Sequence, residues 1–317
     1  MKKVRVATIG YGFLGKWHAQ KAAALTELCE LVAVVEKFPA ARENAKVAHP
    51  QTRVVETWQE IANEIDAAVI VTPTSLHYAV ARDLLLAGKH VFCEKPLCST
   101  SQEARELDDL ARSKKLVLQV GHSERCHEAW EKLSFRELSG PLHLRIDRFA
   151  PFKGRATDVD VVQDLMIHDI DLMLYLFGRK VLGVSAQGFK IRTKHWDHVV
   201  ATFALEGGMM ATITSGRNSV TEVRALDVMH ATGATRVDLF QNKILRAPYS
   251  EVSPGVFTSE ESYEKRDHLL LEQRAFYRSI SAGEKVFVTA SEGVTAIACL
   301  EAVLTALELN QPVSFNA

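Results

Sequence analysis

The chain has 317 residues, 47% of them hydrophobic and 24% charged, with a formal net charge of -1. That length supplies material for two hydrophobic cores, and the balanced charge gives no electrostatic reason to expect a nucleic-acid partner. The five cysteines, Cys29, Cys93, Cys98, Cys126 and Cys299, are odd in number and scattered, which argues against a disulfide framework. The opening MKKVRVATIG runs straight into an apparent strand without room for a signal peptide, and no uninterrupted apolar run approaches membrane-spanning length. The expected setting is the cytoplasm.

From Val4 to about His122, short apolar strands alternate with helical patterns. The expected strands are 4–10, 30–36, 67–73, 90–95 and 116–122. Helix-like segments such as HYAVARDLLLAG and SQEARELDDLARS lie between them, the second opening on a Ser/Thr cap. This alternation predicts a doubly wound parallel sheet. The first strand runs into GYGFLG, with Gly10, Gly12 and Gly15, and a helix is expected to open near Leu14. In that context Gly10 allows the tight turn, Gly12 admits a pyrophosphate to the backbone, and Gly15 permits close helix–sheet packing. An acid is required near the end of the second strand to read the ribose hydroxyls, and Glu36 stands there, with Lys37 beside it. A carboxylate favours NAD and repels the 2′-phosphate of NADP. The stretch CEKPLCST follows the fifth strand and puts Lys95 at the carboxyl edge of the sheet, where such folds bind ligands. Cys93 and Cys98 lack a second ligand pair at zinc spacing, so no metal is expected.

Beyond about residue 140 the texture changes to longer strands, expected at 143–149, 181–189, 198–216, 224–233 and 234–241, with Gly207-Gly208 as a hairpin turn inside the third. Between the first and second of them comes VVQDLMIHDIDLMLYLFG (161–178), a largely apolar helix. Asp164, His168, Asp171 and Tyr175 fall at i, i+4, i+7 and i+11 on one stripe of it. Ionisable groups on an apolar helix are costly unless paired, and they serve either a structural pair or chemistry. Two helices, HLLLEQRAFYRSISAG and SEGVTAIACLEAVLTALELN, close the chain. The second half therefore reads as a mostly antiparallel open sheet with helices on one side, and the expected domains are 1–122 and 123–317.

GYGFLGKWHA, then TPTSLH before a helix ending in AGKHVFCEKP, then Asp164 and His168, together resemble the Gfo/Idh/MocA oxidoreductases over essentially the whole chain. The resemblance implies an N-terminal Rossmann domain with NAD, and a C-terminal α/β domain whose open sheet face mediates assembly into a homo-oligomer, a dimer or tetramer. It also implies a catalytic set of Lys95, Asp164 and His168. By the same matching Phe13, Leu14, Thr72, Pro73, His77 and Glu94 line the cofactor cleft. Oxidising a secondary alcohol removes a hydride and a proton; a histidine suits proton removal near neutral pH, an acid one turn away fixes its tautomer, and a lysine stabilises charge on the oxygen. Whether His168 or Lys95 is the immediate base stays open.

The segments 150–178 and 120–126 further resemble bacterial UDP-N-acetylglucosamine 3-dehydrogenases, which use NAD to make a 3-keto nucleotide sugar that is then aminated for lipid A. Arg148, Lys153 and Arg155 precede the catalytic helix and are placed to meet a diphosphate. Where those relatives commonly carry Phe-Asn-Pro, this chain has Cys126-His127-Glu128. The alternatives are dehydrogenation of a free sugar, an inositol or a nucleotide uronate, and a dinucleotide-binding sensor without turnover. A metal phosphohydrolase suggested by His168-Asp169 lacks a supporting histidine cluster.

Overall fold

Runs of β-branched residues broken by glycine and helix caps set the first layer of structure. The computed structural model describes residues 2–134, 137–138, 140–154, 157–249 and 259–315. Strands β1 (Val4–Ile9), β2 (Cys29–Val35), β3 (Arg53–Val55), β4 (Ala67–Ile70), β5 (His90–Glu94) and β6 (Leu118–Gly121) form one sheet in the order β3-β2-β1-β4-β5-β6. Every pairing in it is parallel. This is the doubly wound order, with the crossover point between β1 and β4. Helices α1 (Gly15–Ala24), α2 (Pro39–Ala48), α3 (His77–Leu86) and α4 (Ser101–Ser113) make the connections. The cap expected on α4 is present: Thr100 Oγ1 accepts from the Glu103 N–H at 3.2 Å, and Glu103 reaches back to the Thr100 N–H. Strand β3 was absent from the sequence reading because three residues at a sheet edge carry too little periodicity to register.

Among the described residues the second sheet has nine strands: β7 (Pro141–Phe149), β8 (Val181–Phe189), β9 (His198–Leu205), β10 (Met210–Gly216), β11 (Val223–His230), β12 (Gly233–Asp238), β13 (Lys243–Pro248), β14 (Ser259–Ser262) and β15 (Val313–Ser314). Only the β7–β10 pair is parallel among its described pairings; the rest are antiparallel. The β9–β10 hairpin turns at Glu206–Gly208, where Gly207 and Gly208 have φ of 82° and 79°, the left-handed values the glycine pair was expected to supply. Along β9, Val199, Ala201, Phe203 and Leu205 are buried while the intervening side chains are more open. One face of the sheet is thus covered and the other left open. Further helices among the described residues are α5 (Ala129–Lys132), α6 (Ile167–Phe177), α7 (His268–Ser281) and α8 (Ala290–Leu309), of which α6 packs on β10.

The chain divides into two units, Met1–Cys126 with Asp267–Ile297, and His127–Arg266 with Ala298–Ala317. The sequence reading assigned everything after 122 to the second domain, and the structure corrects that for α7 and the start of α8. The physical reason is packing that spans the sequence: Phe276 and Tyr277 of α7 fill a core with Val4, Val6, Val69 and Phe92. Helix α8 has the length and apolar composition to cross a membrane, with 56% of its most apolar window buried inside the protein. Its Val294 and Ile297 pack into the first unit's core.

Candidate active site

In the first unit β1 delivers the chain into the glycine turn. Gly10 has φ of 94°, and a Cβ there would lie 2.6 Å from the Val71 carbonyl oxygen. A Cβ on Gly15 would lie 2.1 Å from the Gly10 oxygen. Both glycines are demanded by the fold itself. Gly12 differs, because a Cβ there would meet nothing within 4 Å. Its missing side chain leaves open space, as a close-approaching phosphate requires. Helix α1 starts at Gly15 with Leu14 as its N-cap and no side-chain cap, and the Lys16 and Trp17 N–H groups donate to the Gly12 and Leu14 carbonyl oxygens at 3.3 and 3.0 Å. Phe13, 72% exposed, stands at the turn with Lys16 over its ring.

Glu36 follows β2 and is buried, one carboxylate oxygen accepting from the Tyr11 N–H at 2.7 Å and the other from the Phe38 N–H at 2.8 Å. These bonds tie the acid to the glycine turn and leave two of its four lone-pair sites for a diol. Lys37 is exposed, its carbonyl held by Arg42 at 2.7 Å. Thr72 is half-buried, and its Oγ1 has no hydrogen-bond partner among the described residues; Pro73 is exposed. His77 is buried with one ring nitrogen 2.8 Å from the Thr72 oxygen and the other 2.9 Å from the Pro96 oxygen. It is a brace joining the Thr72-Pro73 turn to the Lys95-Pro96 turn. The Lys95–Pro96 peptide is cis, and Lys95 is half-buried. The open side of Gly12 and the orphan Thr72 hydroxyl together fit a dinucleotide.

Glu94, immediately before Lys95, is buried and accepts from His18 Nε2 at 2.7 Å and from the Lys95 N–H at 3.1 Å. Burial pushes its carboxyl up, but the His18 bond and the Lys95 charge outweigh that and hold it below the ordinary carboxylate range.

In the second unit the expected i, i+4 helix does not begin as an α-helix. Val162–Met166 forms a π-helical turn carrying Asp164, and α6 begins at Ile167. Such turns re-aim side chains and are frequent at functional sites. The turn is pinned by the Val161 N–H on the Trp196 oxygen at 3.0 Å and by the Trp196 N–H on Asp160 at 2.6 Å. Asp164 and His168 are half-buried, whereas Asp171 is buried and Tyr175 is 42% exposed. Four members of one sequence stripe thus occupy different environments. Gly178 closes α6 with φ of 56°, its N–H on the Leu174 oxygen at 3.0 Å.

Asp164 lines a cleft with Arg148, Phe152, Lys153, Arg217 and Arg224. Arg148 is buried, and its guanidinium grips both oxygens of Asp169 at 2.7–3.0 Å, so its charge is already matched. Lys153 pairs with Glu222 at 3.1 Å on the cleft rim. Arg217 bonds Asp197 at 2.7 Å, the Val159 oxygen and Thr193. Burial raises Asp197, but the N–H groups of Thr193, Arg192 and Ile191 together with Arg217 hold it well below the usual range. Arg155 lies outside the described residues. Arg217 and Arg224 were missed by sequence reasoning, since each is an isolated arginine at a strand end without a motif around it. The departure at Cys126-His127-Glu128 is absorbed structurally: the buried His127 ring lies 6.0 Å from Trp130 and 6.3 Å from Tyr263, and Glu128 accepts the Glu264 N–H at 2.9 Å.

Comparison with known proteins bears on the family and the fold. Residues 4–122 match the oxidoreductase family model with an NAD-binding Rossmann fold, and residues 143–235 match the Gfo/Idh/MocA C-terminal domain. A UDP-N-acetylglucosamine 3-dehydrogenase of Acidithiobacillus ferrooxidans is 34% identical over 97% of this chain and 98% of its own. A solved structure of that enzyme superposes with a TM-score of 0.88 at 32% identity, covering 98% of this chain and 99% of the other. An inositol 2-dehydrogenase of Rhizobium meliloti is 29% identical over 68% of this chain and 69% of its own.

Proposed function

The chain belongs to the Gfo/Idh/MocA oxidoreductases, and from that premise we propose that it is an NAD-dependent sugar dehydrogenase acting on the C3 hydroxyl of UDP-N-acetylglucosamine. The observation that carries the substrate is the end-to-end similarity to an enzyme of that name, 34% identical with both chains almost fully covered. The cleft beside Asp164, with Lys153, Arg217 and Arg224 on its walls and Phe152 among them, suits an anionic nucleotide handle. Binding energy from such a handle orients the sugar so that one hydroxyl is presented for reaction.

Bound NAD supplies the hydride acceptor. The residues supply the rest: Lys95 and His168 are the groups to take the hydroxyl proton and to stabilise charge on its oxygen, and Asp164 holds the imidazole tautomer. Ketone formation is uphill near neutral pH, so the product needs trapping. The test incubates the protein with NAD, UDP-N-acetylglucosamine, glutamate and a sugar aminotransferase, and follows NADH with mass spectrometry of the nucleotide sugar. A 3-amino sugar nucleotide is expected, with free N-acetylglucosamine a poor substrate in turnover as well as affinity. Oxidation of free inositol in place of the nucleotide sugar overturns the assignment and favours the second reading, for which the inositol 2-dehydrogenase similarity speaks.

We also carry forward the expectation of a homo-oligomer. The open face of β8–β10, with Leu182 and Met210 exposed at 46% and 43%, is the surface for it; light scattering on the purified protein tests it, and a monomer at micromolar concentration refutes it.

A further inference from the structure

Helix α7 turns Glu272 into the interior of the first unit, where it is fully buried, and neither carboxyl oxygen has a hydrogen-bond partner among the described residues. One of those oxygens, a Glu94 oxygen and a His18 ring nitrogen lie within 4.8 Å of one another. The surrounding bonds decide where the protons are. Gln273 Nε2 lies 3.1 Å from the His18 carbonyl oxygen, which can only accept, so the amide's NH2 faces His18. The same NH2 lies 2.8 Å from His18 Nδ1, and the Tyr277 hydroxyl donates to Gln273 Oε1 at 2.8 Å. Nδ1 is therefore the acceptor, and the ring proton sits on Nε2, donated to Glu94 at 2.7 Å.

Glu94 thus has two donors, His18 and the Lys95 N–H, while Glu272 has none. A second bare carboxylate in this buried site, beside the charge on Glu94, costs several kcal/mol by general desolvation arguments. Three such groups also form the kind of cluster that holds a divalent cation, but the nitrogen facing Glu94 is already protonated and has no lone pair to give. Other charged groups on the elements around α7 are engaged elsewhere: Arg5 with Asp66, Lys21 with Asp267 and Arg125 with Glu292. Glu124, in the turn before Cys126, is buried with partners of its own.

We propose that Glu272 is a neutral carboxylic acid at neutral pH, so that of this carboxyl pair the Glu94 charge alone acts on the neighbouring Lys95. Burial first, and then the Glu94 charge, push the Glu272 carboxyl far above its ordinary range, in keeping with the missing donors. The role of the Glu94 charge rests on Lys95 being catalytic; the protonation of Glu272 does not.

Infrared difference spectra between the wild-type protein and Glu272→Gln, both full-length and NAD-loaded at pH 7, test the proton directly. A carbonyl stretch of a protonated acid is expected in the wild type and lost in the variant. Absence of that band overturns the proposal, as does a stoichiometric divalent metal in the purified protein that disappears in Glu272→Gln. The role of the Glu94 charge is read from the pH dependence of turnover. Glu272→Gln, a neutral mimic, keeps the Lys95 limb where the wild type has it. Glu94→Gln removes the charge beside the ammonium and moves that limb down by about one pH unit. A limb displaced by Glu272→Gln, or unmoved by Glu94→Gln, refutes the role. Should the sugar substrate be misassigned, the infrared result still stands on its own.

Discussion

Arg148 on β7 and Asp169 on α6 close a bidentate pair, Nε at 2.9–3.0 Å and Nη2 at 2.7 Å from the carboxylate, with the side chains 5% and 0% exposed. The pair fastens the helix that carries His168 to the central strand of its sheet. A residue placed by sequence at the substrate thereby acts first as an anchor. Asp169→Asn keeps the shape but leaves a buried guanidinium without its counter-charge, and about 3–5 kcal/mol of stability is expected to go with it. Urea unfolding measures this; a loss below about 1 kcal/mol means the pair is dispensable.

The two glycines of the turn separate folding from binding. Gly15→Ala forces a Cβ to 2.1 Å from the Gly10 oxygen, so the turn must shift, and a markedly lower melting temperature or insoluble protein is expected. Gly12→Val projects into open space. It should melt like the wild type and lose NAD binding by at least about tenfold in a fluorescence titration. Normal NAD affinity in Gly12→Val would place the pyrophosphate elsewhere.

Glu36 sets the cofactor preference. Repulsion of a 2′-phosphate and loss of a bidentate diol contact are each worth about 1–3 kcal/mol. NAD should therefore bind more tightly than NADP. Titration of both cofactors checks it, and equal affinity would show that exposed Lys37 and its neighbours dominate.

Lys95→Met keeps most of the side-chain length and removes the charge. Folding and NAD binding should survive while turnover falls by roughly two to three orders of magnitude. A variant with wild-type turnover makes Lys95 a structural residue and misplaces the pocket.

Acid stability has a local source in Glu137. Burial raises its carboxyl, but bonds from the Thr235 hydroxyl at 2.7 Å, the Ser134 N–H at 2.6 Å and Arg246 at 3.0 Å prevail and bring it from 4.5 down to about 2. A depressed carboxylate stabilises fully above its unfolded value and loses that contribution as pH falls through its folded value. The difference in urea midpoint between the wild type and Glu137→Gln should be largest near pH 7 and shrink between pH 4.5 and about 2. A difference constant across that window removes Glu137 from the acid transition.

The sequence by itself determined whatever is decided over a few neighbouring residues. The turn at Gly10–Gly15 depends on local φ angles and on the absence of a Cβ, the α4 cap on side chains three positions apart, and the β9–β10 hairpin on two left-handed glycines. The helix carrying Asp164 and His168 was legible from its apolar period, though the π-helical turn under Asp164 was not, because it is pinned by Trp196 from a distant loop. Tertiary structure alone decided what depends on partners far along the chain. It returned α7 to the first unit, since a helix's apolar stripe does not say which core will cover it. It spent Arg148 on Asp169 and made His77 a brace between the Thr72 and Pro96 carbonyls. It also buried Glu272 beside His18 and Glu94, residues from three segments separated by up to 254 positions. Burial and the count of available donors fix the state of such a carboxyl, and neither is a property of the residues next to it in sequence.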